Sequence, residues 1–210
     1  MWVPLLSILS LAAALLTIGA EYRGPRWVVY LCKPLTTALI LALAIGHGGE
    51  RTHTILIVIG LLCSLAGDIF LMLPQDRFIA GLASFLLAHL VYSAAFIIAA
   101  DGPWTVTALL TLIPLLAYGL AAFLILRPHL GPFLVPVLCY MLVILFMAWR
   151  AVELARQYPE PGPVLAAAGA LVFVISDTAL AFNRFARPFR TAQALVLGTY
   201  FVAQWLIALS

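Results

Sequence analysis

Apolar runs of about twenty residues, each long enough to cross a bilayer as a helix, follow one another along the whole chain with only short breaks between them. That repetition constrains the fold more than any single motif. Lipid offers the backbone no hydrogen-bond partner, so a spanning segment must be a helix or a strand of a closed barrel. The runs are continuous and do not alternate at period two, which argues against the barrel. Composition points the same way. Of 210 residues, 65% are hydrophobic and 9% charged, against roughly 25% charged in a soluble domain.

Eight spans fit the pattern, at 2–20, 27–46, 54–73, 78–100, 104–126, 131–153, 162–182 and 190–209. The breaks between them, such as E-Y-R-G-P-R, D-G-P, R-P-H-L-G-P and N-R-F-A-R-P-F-R, are Gly-, Pro- and charge-rich helix punctuation. The expectation is an all-α polytopic membrane protein, one transmembrane helical domain over 1–210. Breaks this short make successive helices antiparallel neighbours. The N-terminus lacks the positive region of a signal peptide and reads as a first span. Cys32, Cys63 and Cys139 lie in apolar runs without CxxC spacing, so they read as core residues rather than as disulfides or metal ligands. With no basic stripe, nucleic acid is not an expected partner.

Orientation follows from the cations. One set of breaks carries Arg23, Arg26, Arg77, Arg127, Arg184, Arg187 and Arg190, while the opposite set carries Arg51, Arg150 and Arg156. The positive-inside rule then puts the first set in the cytoplasm and both termini outside.

Against this background two carboxylates stand out. Asp68 lies inside the third span and Asp177 inside the seventh, each near the cytoplasmic end and each followed by an Arg-Phe pair (Arg77-Phe78, Arg184-Phe185). Charge at membrane depth is costly enough that its default reading is functional. Lys33 enters the second span from the same side. His89 and Tyr92 share one face of the fourth. Asp177 and Arg184 share a face of the seventh, with Ser176 and Asn183 beside them, and Tyr200 and Gln204 form a stripe in the eighth. Together these suggest a polar cavity opening toward the cytoplasmic leaflet. The two acids are 109 residues apart (177 minus 68), about half the chain, a spacing compatible with a 4+4 pseudo-repeat.

Blander readings exist for most of these. Gly60, Ser64, Gly67, Gly81, Ser84 and Ala88 suit close helix packing better than chemistry. Lys33 reads either as a snorkelling cation or as the ion-pair partner of Asp68. His47, His53 and His129 fall in breaks, with no evident role. No HExxH cluster or GxSxG elbow is present, and neither metal nor cofactor is called for.

The segments K-P-L-T-T (33–37), G-D-I-F-L-M-L (67–73), F-I-A-G-L-A-S-F-L-L-A-H-L-V-Y (78–92), G-A-L-V-F-V-I-S-D-T-A-L-A-F-N-R-F (169–185) and T-Y-F-V-A-Q (199–204) resemble the YhhN/TMEM86 family of lysoplasmalogenases over nearly the whole chain. The resemblance implies hydrolysis of the vinyl-ether bond of alkenyl-glycerophosphocholine or -ethanolamine, giving a fatty aldehyde and a glycerophospho-alcohol. It matches the family's acidic residues to Asp68 and Asp177. A vinyl ether is cleaved by protonating its β-carbon, and water captures the resulting oxocarbenium ion. That asks for a carboxylic acid and a carboxylate, as in glycosidases. Asp68 and Asp177 would divide those roles around one shared proton. Lys33, Arg184 and Asn183 would hold the phosphate of the lyso-phospholipid, and His89, Tyr92, Ser176, Tyr200 and Gln204 would complete the pocket. The rival reading is a proton-coupled transporter or lipid carrier, which moves its cargo without releasing aldehyde.

Overall fold

The computed structural model describes residues 2–100 and 106–210. The break expected at 101–103 lies outside them. Eight α-helices follow in order among the described residues: α1 (Trp2–Arg23), α2 (Arg26–His47), α3 (Arg51–Met72), α4 (Phe78–Ala99), α5 (Val106–Leu130), α6 (Leu134–Gln157), α7 (Pro161–Ala181) and α8 (Ala192–Ala208). Six helical segments are long and apolar enough to cross a membrane by length and composition. One is the 52-residue run Val106–Gln157, which contains both α5 and α6, whereas the 17-residue α8 falls short of the length. The chain is thus an all-helical integral membrane protein.

That long run is not one rod. A Cβ on Gly119 would collide with the Leu145 side chain, whereas a straight helix over the intervening residues would hold the two about 39 Å apart. The chain doubles back at Gly131, whose φ of +48° suits a residue without a side chain. Pro114 and Pro128 stay inside α5, so the break predicted at R-P-H-L-G-P starts later than expected. Similarly, α7 runs on through a π-helical turn, Phe182–Ala186, where a loop was expected from Asn183. His47, His53 and His129 consequently belong to helices rather than to breaks. The turn into α3 is set by Glu50, whose carboxylate accepts from the backbone N–H of Thr52 (3.0 Å) and His53 (2.7 Å). Those amides hold its pKa below the ordinary carboxylate range.

Small residues decide how closely the helices approach. Along α3 and α4, a Cβ on Gly60 would run into the Tyr92 ring, one on Gly67 would meet the Phe85 ring at 2.6 Å, and one on Gly81 the Leu71 side chain at 2.5 Å. The register is antiparallel, and the glycines are what let large side chains cross between the axes. Helix α8 packs on α1, α2, α3 and α7, and α6 packs on α4, α5 and α7. Helix α5 stands apart. Among the described residues, beyond its connecting turn it packs substantially only on α6 and on the π-helical turn.

Candidate active site

Near the ends of α3 and α7 and the beginnings of α4 and α6, the helices line a partly open cavity. Its wall is chiefly Leu71, Phe78, Leu82, Phe85, Leu126, Met141, Ile144 and Val174, and its polar side chains are those of Tyr140, Asp177 and Thr178. The polar cavity expected from the sequence is therefore an apolar one with a polar patch on its wall. The reason is that most of the predicted polar residues are spent on one another elsewhere.

Asp177 is the carboxylate of that wall, with a side chain 15% exposed. The Tyr140 hydroxyl donates a short hydrogen bond to its Oδ2. His89 Nε2, fully buried, lies 3.3 Å from the same oxygen and 2.9 Å from the Tyr140 hydroxyl. Three helices thus each supply one member of the triangle: α4 His89, α6 Tyr140 and α7 Asp177. The His89 ring is held edge-on against Phe173 at 4.7 Å between centroids. Its Nδ1 has no hydrogen-bond partner among the described residues, so the ring's polar engagement is on the Asp177 side. A carboxyl beside an imidazole and a phenol hydroxyl is a group able to exchange a proton with whatever fills the cavity.

Asp68 sits differently. It is 1% exposed, and its Oδ2 accepts from Thr37 Oγ1 (2.6 Å) and from the Tyr200 hydroxyl (2.7 Å). Lys33 Nζ lies 3.4 Å from Oδ1. Residues of α2, α3 and α8 close around the carboxylate and leave it no face on the cavity. The ring of Tyr200 packs edge-on to Phe85 and to Phe173, with centroids 5.7 and 5.6 Å away. The contacts from Asp68 to Asp177 run through the rings of Tyr200, Phe173 and His89, and among the described residues no hydrogen bond joins the two carboxylates. The single shared proton drawn from sequence has no direct path here.

The remaining predicted residues divide. Tyr92 and Gln204 find each other, hydroxyl to Oε1 at 2.8 Å, and both are fully buried. They tie α4 to α8. Ser176 donates to the Val196 carbonyl at 2.9 Å and braces α7 on α8. Asn183 Oδ1 accepts from Phe189 N at 3.2 Å and fixes the connection after the π-helical turn. Arg184 lies over the Phe78 ring at 5.1 Å and pairs with Asp76 at 2.7 Å. Phe78 lines the cavity, as does Phe185, the next residue after Arg184, so Arg184 stands at its rim. Lys33, by contrast, is engaged by Asp68 inside the protein, and the two cations expected to share a phosphate are apart.

Sequence reasoning missed Tyr140 and Thr37. Tyr140 carries a hydroxyl in the apolar run of the sixth span and Thr37 closes the K-P-L-T-T segment, but neither position announces its partner. Glu153 was also missed. It is fully buried on α6, takes a short hydrogen bond from Thr111 and pairs with Arg156 at 2.9 Å. His53, assigned no role from sequence, lies 3.4 Å from Ser210 Oγ at the opposite end of the helices.

The chain is similar in sequence to known proteins over most of its length. A bovine protein named lysoplasmalogenase TMEM86A is 35% identical over 199 residues, covering 89% of this chain and 79% of its own. A pig protein named lysoplasmalogenase TMEM86B is 38% identical over 189 residues, covering 89% and 76%. In Escherichia coli O157:H7, a protein named uncharacterized membrane protein YhhN is 31% identical over 199 residues, covering 94% of each chain. No solved structure matches. The YhhN family model matches residues 28–210, the stretch that holds both aspartates, His89, Tyr140 and the whole cavity, and the chain belongs to the YhhN family.

Proposed function

We propose that this protein is a lysoplasmalogenase-type hydrolase that cleaves the vinyl ether of an alkenyl-glycerophosphocholine or -ethanolamine, and that Asp177 carries the acid–base chemistry. The observation that carries the reading is the placement of Asp177, a carboxylate on an apolar cavity wall held by Tyr140 and His89. Two relatives that bear the name lysoplasmalogenase, at 35% and 38% identity, support the substrate class.

The alkenyl tail lies along the apolar wall, with its ether beside Asp177. The protonated carboxyl gives its proton to the vinyl β-carbon, and positive charge appears on the adjacent ether-bearing carbon. Water adds there as the Asp177 carboxylate takes a proton from it, and the hemiacetal falls apart into fatty aldehyde and glycerophospho-alcohol. The two carbons are bonded neighbours, so one carboxyl serves as acid and then as base, unlike the two separated carboxyls of a glycosidase. Tyr140 and His89 orient it and hold the proton between steps. Asp68 then acts at a distance, through Tyr200 and the Phe173 ring against His89.

In the same reading all eight helices cross the bilayer as one domain over 1–210, with the 4+4 arrangement relating α3 to α7. Both termini face outside and the cavity lies toward the cytoplasmic leaflet, where Arg184 at the rim meets the lipid phosphate. The test is purified protein in vesicles with a panel of alkenyl lyso-lipids, and free aldehyde as the readout. Aldehyde release supports the hydrolase. Lipid transfer between leaflets without aldehyde would make the protein a carrier instead.

A further inference from the structure

The walls of the cavity are unequal. Helices α4, α6 and α7 meet through α6 and carry the polar triangle, whereas α5 contributes Ala122 and Leu126 and has little packing to lean on. Between α5 and α7 no extensive contact forms among the described residues. What spans that gap is a hydrogen bond from the Tyr118 hydroxyl to Thr178 Oγ1 at 2.9 Å, on the exposed side of both helices. Thr178 Oγ1 in turn donates to the Val174 carbonyl at 2.7 Å, so its free lone pair is aimed at Tyr118. Thr178 follows Asp177 in the chain and lines the cavity beside it.

Position fixes what lies outside. Tyr118 sits near the middle of α5 and is 41% exposed, and Ile125, two turns on along the same face, is 54% exposed. At that depth in a spanning helix the surroundings are hydrocarbon, not water. An apolar cavity behind a gap that faces hydrocarbon, with a carboxyl at its inner end, suits a single-chain amphiphile whose tail comes in sideways.

We infer that the α5–α7 cleft is the lateral entrance of the site, that the tail of a single-chain lipid lies in it, and that the Tyr118–Thr178 hydrogen bond is its threshold. This rests on the hydrolase reading for the identity of the lipid, but not for the route. The tail passes between α5 and α7 while the head group stays at the Arg184 rim. Opening needs no unfolding, because α5 is held mainly by α6 and by the π-helical turn.

The experiment places cysteines across the cleft, Tyr118→Cys with Thr178→Cys, in a protein whose exposed thiol is removed by Cys139→Ser. A short bifunctional thiol cross-linker that reductant cleaves closes the gap. Two readouts are taken in vesicles: aldehyde from a long-chain alkenyl lyso-lipid, and photolabelling by an alkyl lyso-phosphocholine with a diazirine in its tail, which cannot be hydrolysed. Cross-linking is expected to lower both about tenfold, and reductant to restore both. Undiminished labelling of the cross-linked protein overturns the entrance. Aldehyde that persists after cross-linking overturns it too, with the hydrolase reading intact. Cross-link-sensitive labelling without aldehyde from any form keeps the entrance and removes the hydrolase. Tyr118→Phe, which deletes only the bond, is the second variant. It is expected to speed labelling about twofold, and an unchanged rate would show that the bond is no threshold.

Discussion

Lys33 Nζ stands 3.4 Å from Asp68 Oδ1, with side chains 11% and 1% exposed, and the pair joins α2 to α3 where α8 also arrives. Thr37 and Tyr200 occupy the other carboxylate oxygen. The cluster therefore serves as a three-helix joint and is not open to a lipid phosphate. A buried pair is weak evidence of net stabilisation, but removing one partner strands the other's charge.

The first prediction follows from that asymmetry. Lys33→Met leaves Asp68 uncompensated and is expected to cost about 3–5 kcal/mol, while Lys33→Met with Asp68→Asn recovers most of the loss. Thermal unfolding in detergent measures both. A single variant as stable as the parent, with only a raised KM, would return Lys33 to the lipid phosphate.

Close approach gives the second prediction. Gly60→Ala drives a methyl into the Tyr92 ring and strains its bond to Gln204, at an expected cost of about 1–3 kcal/mol. Gly46 lies in α2, and a methyl added there would meet nothing within 4 Å. Gly46→Ala is thus expected to be neutral or to stabilise by up to about 1 kcal/mol. Equal unfolding temperatures for the two variants would refute the packing account.

Much of this was legible in the residues and some was not. Apolar run length located the eight α-helices among the described residues, because a continuous apolar run satisfies its backbone most simply as a helix, although only six helical segments reach spanning length. Boundaries slipped where proline misled: Pro128 reads as a stop, yet the reversal waits for Gly131. Asp68 and Asp177 were conspicuous as charges among apolar neighbours. Their unequal situations were not, since one-dimensional spacing says which face a residue occupies and nothing of what stands opposite. Tyr140 is the clearest case. It lies 37 residues before Asp177 and acquires its role only when α6 docks between α4 and α7.

Head-group contact supplies the third prediction. Arg184, 40% exposed, is shared between Asp76 and the Phe78 ring. Arg184→Gln is expected to raise KM for the lyso-lipid with little change in kcat, the mark of an interaction equal in ground and transition states. Asp76→Asn frees the guanidinium and is expected to lower KM. Steady-state kinetics in mixed micelles decides it, and opposite signs from the two variants are required.

The last prediction separates the two aspartates. Asp177→Asn keeps size and hydrogen bonding but cannot cycle a proton, so kcat is expected to fall by about 10²–10⁴-fold, with thermal stability and lipid binding little altered. Asp68→Asn acts elsewhere. It leaves Lys33 as an unpaired buried cation, so unfolding temperature should fall along with activity. Adding Lys33→Met to Asp68→Asn then restores stability and, with it, much of the turnover, because Tyr200 and the rings around His89 regain their positions. No second change should rescue Asp177→Asn in this way. Tyr140→Phe, which removes one hydrogen bond from the Asp177 carboxylate, is expected to fall between them, with kcat reduced and stability nearly kept. Aldehyde release and thermal unfolding, measured on the same preparations, test the whole set. A stable Asp68→Asn/Lys33→Met protein that is as dead as Asp177→Asn would mean that both carboxyls take part in the chemistry, and the single-carboxyl mechanism would fall.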